Sequence, residues 1–159
     1  MNLEFLEKTN APFIIRSTLG LSEFEDWMNG LRPGCERSVV VLRGERMQDI
    51  KSLIQEIAAA LQFPYYFGGN WNALDECIKD LEWLPSKVFI LGITRSELVL
   101  SQGSDDDQLA FGRLLRETCE IWSAPYDEDK EWGRPGRPFH IVMQCQDEEQ
   151  LVKFGNIFC

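Results

Sequence analysis

The clearest regularity in the chain begins at Val39. Residues 39–42 (VVVL) are apolar at every position and lead to Gly44, the pattern of a strand covered on both faces in a parallel sheet. Ile50, Leu53, Ile54, Ile57 and Leu61 then recur at helical spacing behind an Asp49 cap, and Phe63 and Pro64 end that helix. After residues 65–69, Asn70 is a good N-cap for a second helix running to Leu81 or Glu82. Residues 87–91 (KVFIL) predict another short apolar strand. A polar stretch carrying Gly103, Ser104 and Asp105 leads into a third helix with the stripe Phe111, Leu114, Leu115, Thr118 and Trp122. Asp105, Asp106 and Asp107 stand where carboxylates favour the helix dipole. A charged loop over residues 125–138 precedes a strand from Phe139 to Met143 or Gln144, and residues 147–158 predict a short closing helix. Upstream of Arg37 the pattern is weaker: residues 13–15 suggest a short strand, 22–29 a short helix, and Arg32-Pro33-Gly34 a turn.

The order β, α, α, β, α, β with helical crossovers predicts an α/β fold with a parallel sheet of about three strands, because parallel neighbours need long connections. Right-handed crossovers would place most helices on one face, giving a two-layer domain. The chain divides into an N-terminal extension over residues 1–38 packed on the core, a domain over 39–144, and a C-terminal helical segment over 145–159. At 159 residues, 44% of them hydrophobic, it can close one sizeable core.

Charge narrows the function classes. Lys and Arg total 16 against 26 Asp and Glu, a formal net charge of -10, which repels phosphate backbones and disfavours direct nucleic-acid binding. The same field speeds encounter with a basic protein. No apolar run approaches the length of a membrane span, and the start MNLEFLEKTN has neither a basic n-region nor a signal-like stretch, so a cytoplasmic protein is expected. Cys35, Cys77, Cys119, Cys145 and Cys159 are scattered with no CxxC pair, and His140 is the one histidine. Reduced thiols and no metal or cofactor are expected, with Cys77 and Cys119 on the apolar faces of helices.

Residues 64–77 (PYYFGGNWNALDEC) carry the most chemistry. In the helical part Trp71, Leu74, Cys77, Ile78 and Leu81 share one side, while Asn72, Asp75, Glu76 and Lys79 cluster on the other. That polar side reads equally as a solvated face. Tyr65, Tyr66 and Phe67 before Gly68 and Gly69 change the picture, since so short a loop cannot bury all three rings and leaves aromatics beside carboxylates. An enzymatic reading finds little support. Adjacent acids such as Asp75 and Glu76 diverge on a helix, Asp105, Asp106 and Asp107 fit a helix start better than a calcium loop, and Gly68-Gly69 has no nearby Lys or Arg in its loop to cradle phosphate. His140, in an apolar strand, reads as structural.

Residues 39–85 resemble, without a gap, the barstar family of ribonuclease inhibitors: the strand ending in Gly44-Glu45, the helix closed by Leu61, then Pro64, Tyr66, Gly68, Asn70, Ala73, Leu74 and Cys77. Beyond Pro85 the likeness is looser, through KVFIL, LLRE and the last strand. The resemblance implies a barstar-like two-layer fold and a non-enzymatic inhibitor whose loop and second helix plug the active site of a ribonuclease, acids standing in for substrate phosphates. By position it implies contacts from Tyr66, Asn72, Asp75 and Glu76, with Glu117 as a peripheral charge; the aromatic loop adds Phe67 and Gly69. Asn72 stands where the family has an aspartate, Asp75 and Leu81 where it has tryptophans, and Glu76 where it has its principal aspartate. Lys79, a turn away, is expected to neutralise part of both Asp75 and Glu76. These departures suit a basic ribonuclease other than barnase, or a nuclease toxin, bound by a monomer. The alternative is an interaction domain that keeps the fold without inhibiting anything. The extra residues at the start and over 125–138 are expected to cover the sheet or to add partner contacts.

Overall fold

The structure is a computed structural model and describes residues 4–146 apart from 33 and 35. The closing helix expected over 147–158 lies outside the described residues, as do Cys35, Cys159 and the central proline of the predicted turn. In chain order the main elements are β1 (Ile14–Ser17), α1 (Leu21–Gly30), β2 (Arg37–Arg43), α2 (Ile50–Ala60), α3 (Trp71–Asp80), β3 (Val88–Thr94), α4 (Asp105–Ser123) and β4 (Phe139–Gln144).

The sheet is parallel throughout, in the order β1-β4-β3-β2. It has four strands where the sequence pattern predicts about three. The added strand comes from the N-terminal segment: Ile14 pairs with Ile141 and Ser17 with Gln144, so β1 closes the free edge of β4. β3 also runs further than the apolar run KVFIL suggests, through Gly92, Ile93 and Thr94.

The α/β core places α2, α3 and α4 on one face of the sheet. Leu53, Ile54 and Ile57 of α2, Leu74 and Ile78 of α3, and Phe111, Leu115 and Trp122 of α4 bury against Leu42, Phe89, Leu91, Ile93, Phe139 and Ile141. Residues of opposite parity on the strands point the other way, where Phe24 and Met28 of α1 and Leu6 cover Ile90 and Val142. Thus the N-terminal segment supplies a cover for the second face, which explains why residues 39–42 carry no polar alternation. Gly92 permits this: a Cβ there would lie 2.7 Å from Met28 Cε and 3.1 Å from the Phe24 ring.

Local sequence signals set the helix starts. Asp49 accepts from the Ser52 amide and Ser104 from the Asp107 amide, each completing a capping box. His140 lies wholly buried in β4, with Nδ1 3.0 Å from the Pro12 carbonyl and Nε2 2.9 Å from the Lys8 carbonyl. Phe5 meets its ring edge-on, so the histidine pins the N-terminal segment to the sheet. Cys119 and Cys145 are buried, and Cys77 is partly covered.

Candidate partner-binding surface

The loop between α2 and α3 stands on an aromatic base. Phe63 packs edge-on against both Phe67, at 4.9 Å, and Trp83, at 5.7 Å, and the Trp83 indole donates to the Leu61 carbonyl at 2.9 Å. Phe67, grouped with the contact residues by sequence, is instead half-buried against the core and serves as part of this base. Its neighbours do the opposite: Tyr65 is fully exposed and Tyr66 is 63% exposed. Gly69 then takes φ +70°, a left-handed conformation that suits glycine, and delivers the chain to Asn70. The Asn70 side chain accepts from the Ala73 amide at 2.9 Å and opens α3.

α3 divides as its sequence predicts. Leu74 and Ile78 are buried, Trp71 packs against the same core, and Asn72, Glu76 and Asp80 face solvent. Leu81 ends the helix in a left-handed turn with its side chain buried. The acidic face therefore rides on an apolar underside that holds it rigid.

Its charges are distributed differently from the sequence expectation. Lys79 Nζ lies 2.6 Å from Asp75 Oδ1 and 3.4 Å from Glu117 Oε2, bridging α3 to α4. It does not engage Glu76, which has no ion pair among the described residues. The i, i+4 spacing selects Asp75, and the α3–α4 packing supplies Glu117. Burial works against the Lys79 charge, but hydrogen bonds and charge from Asp75 and Glu117 outweigh it and hold the ammonium's pKa above the ordinary lysine value. Glu117 stays 46% exposed while sharing Lys79 with Asp75.

Two further acids belong to this surface. The Tyr66 phenol is pushed above its usual range, first by partial loss of solvent and then by the charges of Glu82 and Asp80, so it stays protonated and able to donate. Asp80 was within reach of sequence reasoning, since it lies four residues beyond Glu76 on one stripe. Glu82 follows the helix end and is placed by the left-handed turn at Leu81, which periodicity does not reveal.

Among the described residues no group of three or more His, Cys, Asp and Glu side chains gathers to hold a metal ion, and no helix is long and apolar enough to cross a membrane. The parallel α/β domain thus mounts exposed tyrosines and carboxylates on one loop-and-helix unit. The family can be named: the chain belongs to the Barstar (barnase inhibitor) family, whose model matches residues 37–144. That family is one of inhibitors, not enzymes. No match was found among curated proteins. Among solved structures, the chain is similar to a chain in the structure of Drosophila ORC bound to AT-rich DNA and Cdc6, with 13% identity and a TM-score of 0.47, over 89% of this chain and 46% of that one.

Proposed function

We propose that this protein inhibits a basic ribonuclease, or a nuclease toxin of that type, by inserting the 65–70 loop and the outer face of α3 into the enzyme's phosphate-binding cleft. Glu76 is the principal charge, Tyr66 the neighbouring aromatic contact, and Asn72 a hydrogen-bonding contact, with Asp75 and Glu117 contributing through the pair they share with Lys79. The observation that carries the reading is the placement of Glu76: exposed, unpaired among the described residues, and fixed on a helix whose underside is core. A ribonuclease holds cations around its substrate phosphate, and a preorganised carboxylate satisfies those donors through charge-assisted hydrogen bonds. The protein acts as a cytoplasmic monomer, its net charge of -10 opposing self-association and favouring a basic partner.

The test is RNA hydrolysis by a panel of basic microbial ribonucleases, barnase among them, with and without one equivalent of this protein. The expected result is stoichiometric inhibition of at least one enzyme. Replacing Glu76 by Ala should then weaken the complex by about 2 kcal/mol or more, roughly thirtyfold, because it strips a buried charge pair. Inhibition of no enzyme in the panel would refute the reading.

One observation favours the second reading, an interaction domain without inhibitory action. Asp75 and Glu117 are already partnered by Lys79, so fewer carboxylates stand free for nuclease cations. That reading predicts a complex with a protein that is not a nuclease, and unchanged RNA hydrolysis throughout the panel.

A further inference from the structure

The segment over residues 125–138 adds no side chain to the hydrophobic clusters on either face of the sheet. It folds into a tight hairpin beside the C-terminal end of α3, closed by paired backbone bonds between Tyr126 and Arg134 at 2.9 and 2.8 Å. Its interior leaves no room for slack. A Cβ on Gly133 would fall 1.9 Å from the Asp127 carbonyl oxygen, and one on Gly136 would fall 2.2 Å from that of Ser123. The Arg134 guanidinium lies 4.2 Å over the Trp122 ring and donates to the carbonyls of Ile121, Trp122, Ala124 and Pro135, tying the hairpin to the end of α4. So anchored, the hairpin leaves two large rings outside: Trp132 is 69% exposed and Tyr126 58%.

Both rings line a groove of about 720 Å³ that is also lined by Glu76, Asp80 and Glu82. Of the cations that also line it, Lys79 is paired with Asp75 and Glu117, while Arg134 and Arg137 keep their charge but turn donors to carbonyls, of Ile121, Trp122, Ala124 and Pro135 and of Ser86. Aromatic rings and carboxylates lining one groove match one side chain above all. A guanidinium stacks on tryptophan or tyrosine through its plane and pairs with a carboxylate through its edge, which an ammonium does less well.

We infer that this groove is a second arm of the docking surface and receives an arginine-bearing loop of the basic nuclease, stacked on Trp132 and Tyr126 and paired with Asp80 and Glu82. The identity of the occupant rests on the inhibitor reading; the groove's preference for arginine does not. Glu76 lines both this groove and the outer face of α3, so one partner can engage both arms at once. The rigidity of the hairpin lowers the entropy lost on binding.

Titration of the isotope-labelled protein with a tetra-arginine peptide tests the groove directly. The expected result is saturable binding, with amide shifts confined to residues 76–82 and 126–134. Trp132→Ala, which alters no charge and removes an exposed ring, should weaken it by about fivefold or more with an unchanged melting temperature. A tetra-lysine peptide should bind more weakly than tetra-arginine. Unsaturable shifts spread over all surface acids, equal binding of the two peptides, or wild-type affinity in Trp132→Ala would each overturn the inference. With a nuclease inhibited by this protein, Trp132→Ala should raise the inhibition constant by about tenfold. Loss of inhibition in Glu76→Ala with none in Trp132→Ala would remove the groove and leave the inhibitor reading standing. Arginine-selective binding with no nuclease inhibited would do the reverse.

Discussion

Lys79 lies 2.6 Å from Asp75 and 3.4 Å from Glu117, so the charge that α3 presents to solvent is set by which carboxylates this ammonium occupies. Glu76 escapes it. The half-exposed pairs contribute at most about 1 kcal/mol to folding, because solvent screens them. Their effect on association is larger. Lys79→Gln should therefore leave the melting temperature within a few degrees of wild type while raising the association rate with a basic nuclease several-fold at low salt, measured by stopped flow. An unchanged rate would mean that Asp75 and Glu117 do not face the partner. The Asp75–Lys79 pair was legible in the sequence from its i, i+4 spacing. The Lys79–Glu117 pair was not, since 38 positions separate the two residues and only the packing of α3 on α4 brings them together. Phe67 escaped prediction for the same kind of reason: nothing in the run Tyr65, Tyr66, Phe67 says which ring turns inward until Phe63 and Trp83 are placed beneath it.

The elements that were easiest to read are those whose caps and stripes agree. Asp49, Asn70 and Ser104 open α2, α3 and α4 through side-chain bonds to backbone amides, and each helix buries the stripe its spacing predicts. Leu74→Ala should accordingly cost about 2–5 kcal/mol of stability in chemical denaturation, by opening a cavity where α3 meets the sheet. β1 was harder to read because four residues carry too few apolar positions to show a period, and what makes them a strand is the edge of β4. α1 was legible as a helix but its place was not; Phe24 and Met28 find their partners on the second face of the sheet only once Gly92 admits them.

His140 fastens this N-terminal unit, and burial, opposed by the carbonyls of Lys8, Pro12 and Phe5, holds its pKa below the ordinary histidine value. The folded state thus favours the neutral ring, whereas the unfolded chain takes up a proton near pH 6.5. Stability from this group is complete above that pH and declines as pH falls through the lowered folded value. Melting temperatures of wild type should drop between pH 7 and 5 more steeply than those of His140→Phe, which lacks the titrating group. Parallel curves would show that the histidine charges in place without cost.

Across the whole molecule, a net charge of -10 on an 18.4 kDa protein gives a long-range field, to which Glu76, Asp80 and Glu82 contribute beside the hairpin. The N-terminal segment lies on the opposite side of the sheet from α3, so it leaves the loop-and-helix surface open. Association with a basic nuclease should slow by about tenfold or more between low and physiological ionic strength, while dissociation changes little. A rate indifferent to salt would assign recognition to shape alone. The central claim is that an anchored carboxylate at Glu76, unpaired among the described residues, occupies a nuclease's phosphate site. Its most direct test is the inhibition constant of Glu76→Ala beside wild type against the same ribonuclease, with melting temperatures measured in parallel. The account predicts a rise of roughly thirtyfold or more at unchanged stability; an inhibition constant equal to that of wild type would contradict it.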